Sequence, residues 1–89
     1  MPKMIITHNV GDVDNWLKFK AERAEAVAAM GGKNVVDHVA LDGSNAVAVQ
    51  ADVDDPEAMM AALAAPPAEV QATMEKHGVL PPMIAYVAK

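Results

Sequence analysis

Apolar and polar positions along this chain change period several times, and each change marks the edge of an element. Residues 3 to 9, KMIITHN, form a short run rich in β-branched residues between Pro2 and Gly11-Asp12, as a strand does. Beyond Asp12 the apolar positions fall at three- and four-residue spacing, with Val13, Trp16, Leu17, Ala21, Ala24, Val27 and Ala28 on one stripe. This predicts a helix capped by Asp12, favoured by Asp14 in its first turn and stopped by Gly31-Gly32. The stretch NVVDHVALDGSNAVAVQADV predicts two strands, about residues 34 to 41 and 45 to 53, paired antiparallel through a tight turn at Asp42-Gly43.

Asp54-Asp55-Pro56 combines an acidic cap with proline at the first helical position, and predicts a second helix that carries Met59, Met60 and Leu63 inward. Pro66-Pro67 breaks it. A third helical segment starts at Pro67, sets Val70, Met74 and His77 at i, i+4 and i+7, and stops at Gly78. After Pro81-Pro82, MIAYVA (83 to 88) reads as a closing strand. The order is β-α-β-β-α-β with the second helical region split, and residues 1 to 89 read as one domain without repeats or a linker.

Such a chain closes most simply as an α+β ferredoxin-like sandwich, a four-stranded antiparallel sheet with its helices on one face. The alternating sets Val35/Val39/Leu41 against Val36/Ala40, Val47/Val49/Ala51 against Ala46/Ala48, and Met83/Ala85/Val87 against Ile84/Tyr86 leave neither face polar. The helices cover only one of them. A second copy of the sheet is the expected cover for the other, giving a homodimer with a closed, barrel-like core.

Composition agrees with that expectation. Hydrophobic residues make up 53% of the chain and aromatics 3%, so the core is aliphatic and methionine-rich. A domain of this size buries only about two-thirds of the surface its unfolded chain exposes, and with no cysteine present neither disulfides nor thiolate metal sites can reinforce it. Association is the remaining reinforcement. Twelve acidic against seven basic residues, a net charge of −5, argue against nucleic-acid binding. No secretory leader and no apolar run near the ~20 residues of a membrane span is present, which leads us to expect a soluble, cytoplasmic protein with no membrane partner.

The segments IITHNVGDVDNWLKF, ADVDDPEAMMAALAAPP and MEKHGVLPPMIAYV together resemble the dimeric α/β-barrel, ferredoxin-like superfamily. That superfamily includes antibiotic-biosynthesis monooxygenases, heme-degrading monooxygenases, muconolactone isomerase and polyketide cyclases, and the likeness is to its short members. The resemblance covers nearly the whole chain. It implies the dimer and a small-molecule cavity between the sheet and the helices of each subunit.

Candidate chemistry centres on that cavity. His8 is in phase with Met4 and Ile6, so if those face the helices His8 joins them and meets Trp16 or Phe19. His77 lies on the stripe of Val70 and Met74 and could act as a general acid or base, although Lys76-His77-Gly78 equally suits a helix C-terminus. Tyr86 offers the only phenolic hydroxyl. We take His8, His77 and Tyr86 as candidate catalytic residues, and Trp16, Phe19, Met59 and Met74 as candidate substrate contacts, each having core packing or backbone hydrogen bonding as its simpler role. Asn9 is out of phase with His8, although cofactor-free monooxygenases of the superfamily pair an Asn with a Trp. Arg23 is the only arginine, which excludes a two-arginine clamp within one subunit.

Asp37 and His38 point to opposite faces, and the three histidines have no H-x-H or H-x-x-x-H spacing, so no metal is expected. Neither a phosphate-binding glycine loop nor a nucleophile elbow is present, and no cofactor is expected. These residues lead to a homodimer that binds a small apolar or aromatic compound, with cofactor-free monooxygenase, cyclase or isomerase chemistry as the enzymatic form. A non-catalytic dimerisation or ligand-binding module is the alternative, and heme degradation a third.

Overall fold

The computed structural model describes residues 2–89. Its elements are β1 (Lys3–Val10), α1 (Val13–Leu17), α2 (Lys20–Ala29), β2 (Gly32–Val39), β3 (Ala46–Val53), α3 (Pro56–Ala64), α4 (Ala68–His77) and β4 (Val79–Val87). The strands form one sheet in the order β2-β3-β1-β4, with every neighbouring pair antiparallel. This is the expected ferredoxin-like α+β arrangement. No helix among the described residues is long and apolar enough to cross a membrane.

The predicted caps form. Asp12 Oδ1 accepts from the N–H groups of Asp14 and Asn15, and Asp55 accepts from Ala58 with Pro56 opening α3. Gly78 ends α4 in the left-handed region at φ 77°. The helix expected from Asp12 to Gly31, however, is two helices. At the join the N–H groups of Lys18 and Phe19 bond three residues back, to Asn15 and Trp16 carbonyls, so the turn tightens. The Trp16 carbonyl, besides accepting from Phe19 N–H, accepts from Arg23 Nη1 of α2 at 3.1 Å.

Two boundaries differ on the strands. The connection from β2 to β3 spans residues 40–45 rather than a two-residue turn, although Gly43 does take positive φ and Asp42 Oδ1 accepts from Ser44 N–H. β4 begins at Val79, with Pro81 and Pro82 inside it. Proline is tolerated there because β4 is an edge strand and needs no hydrogen bonds on its outer side. The β1–β4 ladder shifts register between Thr7 and Asn9, beside the prolines. The other edge, β2, is also irregular: its pairing with β3 shifts between Lys33 and Val36, where Asn34 has φ 56°.

Register sorts the strands into two faces. Met4, His8 and Val10 of β1 and Val47, Val49, Ala51 and Val53 of β3 are buried on the helix side. Pairing sets Ile5 beside Gln50 and Tyr86, and Thr7 beside Ala48 and Ile84, on the outer side. There Ile84 is 48% and Tyr86 54% exposed, with Val36 and Leu80 nearly as open.

Candidate functional site

Alternation along β1 aims His8 at the helices, as its phase with Met4 and Ile6 predicts. Above it a partly open, almost wholly apolar cavity of about 90 Å³ lies between sheet and helices. Met4, Ile6, Val49 and Ala51 form its floor, and Trp16, Arg23, Met59, Met74 and His77 come from the four helices above. Of the residues singled out from sequence, His8, His77, Trp16, Met59 and Met74 therefore share one cavity. Phe19 does not line it but stacks flat on His77, ring centroids 4.7 Å apart. Tyr86 is on the opposite face of the sheet, as are Asn9 and His38 by register.

The two cavity histidines are held differently. His8 Nδ1 lies 3.0 Å from the Asn9 carbonyl oxygen, which can only accept, so Nδ1 carries the proton and Nε2 presents a lone pair. No group among the described residues bonds that Nε2. The ring meets Trp16 edge-on, with centroids 6.3 Å apart and planes at 78°. Burial lowers the His8 pKa below the ordinary imidazole value; the Asn9 hydrogen bond opposes the shift and the Arg23 charge adds to it. A neutral imidazole with a free Nε2 is competent to take up a proton.

His77 has no such freedom. Arg23 donates towards its Nδ1 at 3.5 Å, which puts the ring proton on Nε2, 3.7 Å from Glu22 Oε1. Burial, and then the Arg23 charge, lower its pKa; Glu22 opposes the shift. Glu22 itself is held below the usual carboxylate range, chiefly by the hydrogen bond from Lys76. His77 Nδ1 thus meets Arg23, whereas Nε2 is buried without a hydrogen-bond partner among the described residues.

The strongest polar feature is one that the sequence reading used only to exclude a clamp. Arg23 makes a two-pronged ion pair with Asp37, Nε to Oδ1 at 3.0 Å and Nη2 to Oδ2 at 2.9 Å, and both side chains are buried. Its carbon Cζ sits 3.8 Å above the Trp16 ring, while Nη1 reaches the Trp16 carbonyl. One guanidinium thereby joins α1, α2, β2 and α4. Two signals pointed to it: Arg23 is seven residues beyond Trp16, hence on the same helical face, and Asp37 is in phase with Val35 and Val39.

Trp16 is completely buried, and its Nε1–H has no acceptor among the described residues. No three His, Asp or Glu side chains converge to hold a metal ion among those residues. The arrangement therefore offers one proton acceptor at His8 Nε2, two buried N–H groups without acceptors at Trp16 Nε1 and His77 Nε2, and an adaptable apolar wall.

No protein-family model matches this sequence, and no curated protein does. Among solved structures it is similar to one described as "a putative antibiotic biosynthesis monooxygenase" from Deinococcus radiodurans, at TM-score 0.58 and 17% identity over 100% of this chain and 93% of that one. The chain as a whole therefore has the ferredoxin-like fold of that monooxygenase-named structure.

Proposed function

We propose that this protein is a homodimer that binds a small, largely apolar compound between sheet and helices, with His8 as the acid/base for cofactor-free proton transfer. The observation that supports this reading above all is a buried, neutral imidazole, its Nε2 unbonded among the described residues, that lines an apolar cavity. Isomerisation and cyclisation need such a base, and the name of the similar structure adds oxygenation to the candidates. The dimer is supported by the outer sheet face, where Val36, Leu80, Ile84 and Tyr86 are all about half exposed.

Replacing His8 by Ala tests the chemistry: turnover of a converted compound should vanish while the dimer persists in sedimentation. An unchanged rate in the purified variant removes the catalytic role. The second reading, a binding or assembly module without catalysis, is favoured by cavity size, because about 90 Å³ is less than the ~150 Å³ that accommodates benzene in an engineered apolar cavity. Met59 and Met74 must then yield for an aromatic ligand to enter. A thermal shift with a small aromatic separates the readings, since a cavity that stays closed gives none. The same volume leaves no room for a porphyrin, and a hemin titration without a Soret shift is the expected result.

A further inference from the structure

His8 borders two spaces at once. On the helix side it lines the apolar cavity, and on the outer side it lines a groove of about 390 Å³ whose other walls include Thr7, His38, Ala48, Pro82 and Ile84. The sheet is interrupted between them. Thr7 pairs with Ile84 and Asn9 with Leu80, so Pro81, Pro82 and Met83 of β4 stand opposite His8 alone, and neither proline has an N–H to return to β1. Pro82 lines the groove and Met83 the cavity, so this bulge, like His8, is shared by both spaces. The ring nitrogen agrees with an opening here. His8 Nε2 has no hydrogen-bond partner among the described residues, yet unlike Trp16 Nε1 and His77 Nε2 it is not sealed from water.

We infer that the break in the β1–β4 ladder is a side door through which water of the outer groove reaches His8, so that the bound compound and the solvent proton approach this imidazole from opposite sides of the sheet. A base inside an apolar cavity needs such a route. The proton it takes leaves a C–H or O–H bond of the compound for the imidazole and passes from there to water, which restores the neutral ring; a compound filling the cavity leaves no water on the helix side to receive it. The groove belongs to the face assigned to the second copy, and interfaces between protein surfaces routinely hold bridging water, so the route stays wet in the dimer. The inference rests on the proposed acid/base role of His8 and adds the path of its proton.

The test is deuterium exchange at Cε1–H, the ring carbon between the two nitrogens, followed for each histidine by mass spectrometry of the purified chain in D2O at neutral pD. His8 and His77 are both buried and both have lowered pKa values, so the comparison between them reads access to water. His8 should exchange about tenfold faster than His77, whose exchange waits for local opening of the fold, and more slowly than the exposed His38. Ala48→Phe, which fills the groove from its floor, should bring His8 down to the His77 rate. Val70→Phe, which fills the cavity from α4, should leave the His8 rate unchanged. Should Ala48→Phe fail to fold, Ala46→Leu narrows the same groove.

Exchange at His8 as slow as at His77 in the unaltered chain would overturn the side door, as would a His8 rate that filling the groove leaves unchanged. Either result leaves the acid/base reading standing, because turnover of His8→Ala decides that reading separately.

Discussion

On the inner face of the sheet Met4, Val10, Val47 and Val53 are buried by the chain's own helices, whereas on the outer face Val36, Leu80, Ile84 and Tyr86 stand about half exposed. Side chains of the same kind thus serve opposite ends. Asp37 and His38 make the contrast within two residues: Asp37 turns inward to a buried ion pair with Arg23, and His38 turns outward to the exposed face. The inner face is specified by directional contacts that fix three helices, α1, α2 and α4, over it. The outer face has area without such contacts, the character of a surface completed by another molecule.

The sharpest way to break this contrast is to remove one member of the inner ion pair. Asp37→Ala should destabilise the fold by about 3–5 kcal/mol, because Arg23 is left charged, buried and unpaired. Chemical denaturation measures it, and His38→Ala, one residue away, should change stability by less than about 0.5 kcal/mol per isolated subunit. Met59→Ala, which hollows the apolar end of the cavity, should cost about 2–3 kcal/mol by the same measurement. On the outer face Ile84→Lys should leave the subunit folded but weaken association by about 2 kcal/mol over both copies, a shift to monomer visible by sedimentation at micromolar concentration.

The smallest expected effect comes from acid. His8 and His77 both have pKa values below the ordinary 6.5, so the unfolded chain takes up their protons before the folded one does. Their contribution to stability is complete above pH 6.5 and declines as pH falls from there through the lowered values. Unfolding free energy followed across that window should fall, and His8→Leu should flatten part of the slope. A slope of the opposite sign would mean that the fold stabilises the imidazolium forms instead.

Local pattern made much of this molecule legible. Alternation placed His8 with Met4, helical spacing placed Trp16 inward, and the caps at Asp12, Asp55 and Gly78 follow from side-chain and backbone chemistry within a few residues. What local pattern left open depends on contacts far apart in the chain. The Arg23–Asp37 pair joins residues 14 apart across two elements, and the partners that immobilise His77 come from 54 and 55 positions away. Tyr86 shares a face with Ile84 by simple alternation, but which face that is depends on the register with β1. The prolines of β4 read as a boundary because a central strand excludes them, and only its edge position admits them.

That edge position carries a consequence for how copies can meet. Pro81 and Pro82 interrupt the N–H donors of the strand at one rim of the sheet, and the register shift at Asn34 disturbs the regular row of donors and acceptors on the other. Strand-by-strand extension into ribbons or fibrils is thereby discouraged on both sides. Stacking on the outer face is the geometry left open, and in the proposed homodimer that plane is used up once two copies have met.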